Sequence, residues 1–176
     1  MIKVLSGKYK NLSLKTPKSD KTRPTSSKVR GSVFDILQNQ IEEARFLDIF
    51  AGSGSMGIEA LSRGANSATF IEHDKIAASC IRENLKKIQI QATVLQQDAQ
   101  VALKRLVKGG DHFDIIYIDP PYHLDILPIL ELIPPLLSPE GLTILEQSSK
   151  AKIEFQGLEK TQERKFGDTT LHLYLK

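Results

Sequence analysis

Cysteine occurs once, at Cys80, so no internal disulfide is available to hold this 176-residue chain together. A lone thiol fits a reducing compartment, where packing alone must stabilise the fold. No stretch approaches the roughly 18 consecutive apolar residues of a membrane span. The opening Met1-Ile2-Lys3-Val4-Leu5-Ser6-Gly7 also lacks an apolar core of signal length. Membrane insertion and export are therefore not expected, and a cytoplasmic location is. The four histidines, His73, His112, His123 and His172, show no ligand spacing, and no metal is expected. Internal repeats, low-complexity tracts and a dividing linker are missing too. The expectation is one domain over residues 1–176, with a basic extension over 1–25 and a core over 26–176, long enough to bury its own interior.

Acid is scarce at the beginning of the chain. Among the first 30 residues Asp20 is the one acid, against Lys3, Lys8, Lys10, Lys15, Lys18, Lys21, Arg23, Lys28 and Arg30. That segment carries +8 of a net charge of +3, which leaves −5 on the remaining 146 residues. A basic arm on a mildly acidic body suits a polyanionic partner. A solvated, lysine-rich extension accounts for the same charge without one.

What is present has a regular rhythm. Residues 2–15 alternate around Gly7-Lys8-Tyr9-Lys10-Asn11, which predicts a short hairpin. Pro17 and Pro24 mark a loop. Ser26 or Ser27 then caps a helix whose apolar face is Val29, Val33, Phe34, Ile36 and Leu37. Strands are predicted at Phe46–Phe50, Ala68–Glu72, Thr93–Gln97, Phe113–Asp119 and Leu142–Glu146. Helices are predicted between them at Met56–Arg63, Lys75–Lys87, Ala99–Lys108 and Leu124–Leu137, the last interrupted by Pro128 and by Pro134-Pro135. This alternation predicts an α/β fold, with a parallel sheet covered by helices on both faces. Two final strands, near Lys160–Lys165 and Thr170–Leu175, are close enough to pair as an antiparallel hairpin.

Chemistry concentrates at the predicted strand ends. Asp48-Ile49-Phe50-Ala51-Gly52-Ser53-Gly54-Ser55-Met56-Gly57 follows the first core strand and opens a helix. Gly52, Gly54 and Gly57 satisfy G-x-G-x-x-G, a turn that lets a ligand lie against bare amides such as that of Ser53. Glu72, twenty residues after Gly52, ends the next strand, where an acid accepts hydrogen bonds from both hydroxyls of a ribose. Asp98 ends the third strand and suits the exocyclic amine of an adenine. Asp74 and Asp98 can equally cap the helices they precede. Together these residues predict an adenosine site. Nicotinamide dinucleotides share the glycines and the acid, but they need a second mononucleotide half. Asp48, a carboxylate beside the turn, disfavours a pyrophosphate and favours an ammonium group. S-adenosylmethionine therefore fits better than a dinucleotide.

The fourth strand stops at Asp119-Pro120-Pro121-Tyr122, since proline cannot continue a ladder. That motif, with the glycine turn upstream, resembles the amino-methyltransferases, which methylate an exocyclic nitrogen of a nucleobase. The resemblance implies that the Asp119 carboxylate and the Pro120 carbonyl each accept one amine hydrogen, while Tyr122 stacks on the base. The motif selects an amine and leaves adenine N6, guanine N2 and cytosine N4 open.

Further segments narrow this. Thr22-Arg23-Pro24-Thr25, Val29-Arg30, Phe34 and the run from Asp48 to Leu61-Ser62-Arg63-Gly64 are similar to the bacterial 16S rRNA guanine-N2 methyltransferase family, nearly from end to end. The resemblance implies a Rossmann-like class I methyltransferase. Its sheet would be seven-stranded and mostly parallel, with an antiparallel C-terminal hairpin strand and a small N-terminal β-hairpin. It implies a monomer that methylates a loop guanine of 16S rRNA in a partly assembled small subunit. Arg23, Thr25, Lys28 and Arg30 would then contact RNA phosphates. Two positions depart from the family pattern: Gly31 stands where relatives often carry an acid, and Asn11 where they often carry glycine. An adenine-N6 DNA methyltransferase, a dehydrogenase and a non-catalytic RNA-binding assembly factor are the competing readings.

Overall fold

The structure is a computed structural model that describes residues 2–17, 26–151 and 155–176. Strands β1 (Ile2–Lys3) and β2 (Ser13–Leu14) form the N-terminal hairpin, with Ile2 opposite Leu14. Asn11 adopts φ 68°, the left-handed conformation that Asn tolerates. Helix α1 (Ser27–Ile36) starts at Ser26, whose hydroxyl accepts the N–H of Val29 at 3.2 Å. The chain then alternates through β3 (Arg45–Ile49), α2 (Ser55–Ser62), β4 (Ser67–Ile71), α3 (Lys75–Lys87), β5 (Thr93–Leu95), α4 (Ala99–Gly109) and β6 (Phe113–Ile118). A single turn, α5 (Leu127–Leu130), precedes β7 (Leu137–Ser148), β8 (Glu159–Phe166) and β9 (Thr169–Leu175).

The main sheet has seven strands in the order β5-β4-β3-β6-β7-β9-β8. Strands β3 to β7 are parallel, and β9 runs antiparallel to both β7 and β8. Alternate side chains leave the sheet on opposite faces, and each face builds its own core. Phe46, Phe70, Tyr117 and Ile144 pack with Val33, Phe34, Ile58 and Ile81 from α1 to α3. Leu47, Ile116, Ile118 and Leu145 pack with Leu103 of α4 and Leu130 of α5. Each such fully buried side chain stabilises the fold by about 1.5–3 kcal/mol.

Three elements differ from the sequence-based expectation by two residues or more at an end. β5 leaves the ladder at Leu95, two residues early, because Gln96 and Gln97 turn out to bring Asp98 to the start of α4. The helix expected over Leu124–Leu137 shrinks to one turn plus a 3₁₀ turn at Pro134–Leu136, because each proline removes a helical donor. β7 begins five residues earlier than expected, since a register shift between Phe113 and Ile115 absorbs Ser138-Pro139-Glu140-Gly141.

The hairpin is fastened to α2 by one buried carboxylate. Glu59 accepts the N–H of Leu5 at 2.7 Å, the N–H of Ser6 at 3.0 Å and Nε of Arg63 at 2.8 Å. Ser62, at the end of the same helix, donates to the Ser6 carbonyl and accepts the Tyr9 N–H. Gly7 permits this approach: at φ +80°, an added Cβ would sit 1.8 Å from the Ser62 carbonyl oxygen. Arg30 also belongs here rather than at a phosphate. It is 2 % exposed, donates to the Lys3 carbonyl at 2.6 Å and lies 3.8 Å from Glu59, so its charge is spent inside the protein. Glu59→Ala should therefore leave Arg30 buried without its counter-charge and cost about 3–5 kcal/mol. A urea titration of the two proteins reads that difference.

Candidate active site

The order of the strands creates the site. From β3 the chain steps outward to β4 and β5, then returns to the other side of β3 as β6 and β7. The crevice between the carboxyl ends of β3 and β6 is thus a topological switch point, where open α/β sheets bind ligands. The glycine turn leaves β3 there and Asp119 leaves β6. The two are tied by a long hydrogen bond of 3.5 Å from the Asp119 N–H to the Ile49 carbonyl.

The turn is conformationally demanding. Gly52 and Gly54 have φ of 55° and 76°, and Gly54 caps α2. A Cβ built at Gly52 meets nothing within 4 Å, so this backbone faces open space. Phe50 also has φ 64°, which costs a bulky residue on the order of 1–3 kcal/mol. Nothing in the sequence marks Phe50 for this. Gly57 contributes from beneath. Its absent side chain makes room for Phe70, whose ring would lie 2.3 Å from an added Cβ, and its N–H donates to Asp48 at 3.0 Å.

Three acids occupy successive strand ends. Asp48 is 1 % exposed. Burial pushes its carboxyl up to about 7, against the Gly57 hydrogen bond, and the neighbouring Glu72 charge adds to the rise. Glu72 accepts the N–H of Gly52 at 2.7 Å and that of Asp74 at 2.8 Å, which locks its carboxylate against the turn. Two of the carboxylate's roughly four acceptor sites are used, and the others remain for a ligand. Asp98 caps α4 through Oδ1, which accepts the Val101 N–H at 3.2 Å; Oδ2 is left for a second partner. Asp74 caps α3 in the same way.

Several residues of the site escaped the sequence reading. Asn84 is fully buried in α3 and clamps the turn to the N-terminal segment. Its Nδ2 donates to the Ser53 carbonyl at 3.1 Å and the Lys15 carbonyl at 2.9 Å, and its Oδ1 accepts the Lys15 N–H. A polar residue three after Ile81, on the apolar stripe, was the available signal. Tyr117 lies two residues before Asp119 and donates to Glu146 of β7 in a buried hydrogen bond. The exposed large apolar side chains among the described residues are Ile76, Val101, Tyr122, Leu124 and Leu127. All five come after the carboxyl ends of β4, β5 and β6, the edge at which open α/β sheets bind ligands.

Of the residues assigned to RNA, Lys28 is exposed on α1 and Arg30 is buried. Arg23 and Thr25 lie outside the described residues. The residues expected to take the cofactor and the base lie at the crevice and at the strand ends beside it.

Strand order, switch point and the reversed β9 define the class I methyltransferase fold. The Thermus thermophilus 16S rRNA N2 G1207 methyltransferase, solved with AdoMet and guanosine, shares it at a TM-score of 0.74 and 22 % identity, over 90 % of this chain and 44 % of that one. The family described as Conserved hypothetical protein 95 matches residues 2–175, and the chain belongs to it. The ribosomal RNA small subunit methyltransferase D of Haemophilus influenzae is 30 % identical over 88 % of this chain and 92 % of its own. The Bacillus subtilis protein YlbH, named as a candidate rRNA methyltransferase, is 36 % identical over 99 % of each chain. The solved yhhF of Escherichia coli, described as a candidate methyltransferase, superimposes with a TM-score of 0.87 at 29 % identity, covering 99 % of this chain and 97 % of that one.

The burial of Asp48 has a measurable consequence. Its folded-state pKa stands above the 3.8 of the free side chain. Between about pH 4 and pH 7 the unfolded chain ionises there while the folded protein keeps the proton, so rising pH removes stability across that window. Asp48→Asn carries no titrating group. Chemical denaturation at several pH values should show the variant gaining on the parent protein from pH 4 to pH 7, with no further gain above.

Proposed function

We propose that the protein is an S-adenosylmethionine-dependent methyltransferase acting on the exocyclic N2 amine of a loop guanine in 16S rRNA. Its substrate would be the small ribosomal subunit during assembly, met by a monomeric, cytoplasmic protein. The carrying observation is that Asp119 and the open glycine turn meet at one switch point, joined by the Asp119–Ile49 hydrogen bond. The rRNA substrate is supported by the Haemophilus relative's name, and the guanine N2 position by the likeness of the Arg-Pro-Thr and Leu-Ser-Arg-Gly segments to the 16S rRNA guanine-N2 methyltransferase family.

The residues fit the cofactor. When bound, S-adenosylmethionine would supply an electrophilic methyl group, the electron pair of the broken S–CH3 bond staying with the sulfur of the departing S-adenosylhomocysteine. The bare backbone at Gly52, next to the Ser53 amide, accommodates its close approach. Asp48 offers a buried carboxylate to the methionine ammonium, which lowers the cost of its ionisation. Glu72 receives the ribose hydroxyls through its remaining lone pairs, and Asp98 Oδ2 receives the adenine amine. Ile76 and Val101, exposed beside these two acids, offer apolar surface to the base.

A nucleobase amine is a weak nucleophile because its lone pair is delocalised into the ring. The Asp119 carboxylate and the Pro120 carbonyl accept its two hydrogens and hold the nitrogen toward the methyl group. As the N–C bond forms, positive charge grows on nitrogen, and the carboxylate stabilises it. The proton then leaves along the same hydrogen bond. Tyr122, 68 % exposed, stands ready to stack on the base. Lys28 and the lysine-rich hairpin add electrostatic attraction for RNA.

Asp119→Ala should lower methylation by about 10²–10⁴-fold and leave S-adenosylhomocysteine binding, read by calorimetry, essentially intact. A variant as active as the parent would point to a non-catalytic assembly factor. Digestion of methylated RNA to nucleosides should yield N2-methylguanosine; 6-methyladenosine would refute the guanine assignment.

A further inference from the structure

A second concavity opens beside the Asp119 segment and shares only Leu124 and Leu127 with the site described so far. It is a cavity of about 700 Å³, within the size range of ligand pockets. One wall is Leu124–Leu127, the stretch that begins two residues after Tyr122. Gln147, Thr170 and His172 lie opposite, and Lys160 and Lys165 stand at the rim. The register places it next to the base clamp. Leu145 pairs with Ile118, so Gln147 comes level with Pro120 at the carboxyl edge of the sheet.

Gln147 is the informative residue. It is 6 % exposed, yet among the described residues neither its Oε1 nor its Nε2 has a hydrogen-bond partner. Buried amides are almost always satisfied, and an orphaned one is costly unless a ligand completes it. Nδ1 of His172, 8 % exposed, also lacks a hydrogen bond, although Glu163 lies 3.4 Å away. The carboxylates nearby are already engaged: Glu163 pairs with Lys160 at 2.5 Å, and Asp125 accepts the Leu127 N–H. Lys165 is exposed on the same rim.

The composition matches a nucleotide part for part. A carboxamide sets one donor beside one acceptor, and each RNA base presents the complementary pair on its Watson–Crick edge. Leu124 and Leu127, 37 % and 51 % exposed, offer apolar surface to the faces of a base. Lys165 offers charge to a phosphate. We propose that this cavity receives the base of a nucleotide flanking the methylated one, with the Gln147 amide on its edge. The inference rests on the RNA methyltransferase reading above and adds a second point of sequence recognition to it.

The test pairs Gln147→Leu with RNAs carrying a single abasic residue on either side of the target. For the parent protein, one flanking abasic site should lower kcat/KM by about 10- to 100-fold, the worth of a bidentate amide–base contact. Gln147→Leu should lose a similar factor on intact RNA and nothing further on the abasic RNA. Its Tm should hold or rise, since an orphaned amide is replaced by an apolar group of similar size. Equal abasic penalties in both proteins, insensitivity at both flanking positions, or a fall in Tm and S-adenosylhomocysteine affinity together would overturn the proposal. If intact RNA is not methylated at all, the preceding reading fails instead. Binding titrations with the same RNAs then still decide the pocket.

Discussion

The reversal of strand order at β3 is the constraint on which the rest of the molecule depends. A parallel sheet wound outward in one direction and then the other leaves two adjacent strand ends that no connection covers. In this chain those ends are Ile49 and Ile118, and the residues after each are forced out of regular structure: a left-handed Phe50 and Gly52 on one side, a proline pair on the other. Every acid of the site stands at the carboxyl edge of the sheet because β3, β4, β5 and β6 all run toward it.

Helix α2 transmits this geometry to the N-terminal region. It has only eight residues, beginning at the glycine turn and ending at Ser62. Glu59 and Ser62 hold the hairpin through four backbone contacts to Leu5, Ser6 and Tyr9. The basic hairpin is thus coupled to the turn by a rigid body about 12 Å long. Asn84 adds a second link, joining Ser53 to Lys15. The charge of Lys3, Lys8 and Lys10, which reads in the sequence as part of a separate arm, is mounted on the same element as the turn.

Much of this was legible because it is periodic or chemically singular. The five parallel strands, four of the helices and the final hairpin emerge from hydrophobic periodicity, and Glu72 and Asp119 from their positions after apolar runs. The misread parts are those where tertiary context overrides local pattern. Leu124–Leu137 has helical spacing of apolar residues, but its prolines remove the donors a helix needs. β7 hides its beginning in Pro139 and Gly141, which sequence marks as a turn and the sheet absorbs by a shift of register. Arg30 reads as a surface cation because nothing nearby in sequence predicts a buried carboxylate 29 residues on. Ile76 and Val101 look like ordinary helix residues until their helices are placed beside the strand ends.

The edges of the sheet settle a different matter. On one side it ends in β5, three residues long, and on the other in β8, whose sequence Glu159-Lys160-Thr161-Gln162-Glu163-Arg164-Lys165-Phe166 is almost wholly polar. Unpaired strands invite other chains to extend the ladder, and shortness and charge are the two common deterrents. This protein uses one at each border. A sheet whose carboxyl edge stands open is guarded at both sides against extension of its ladder.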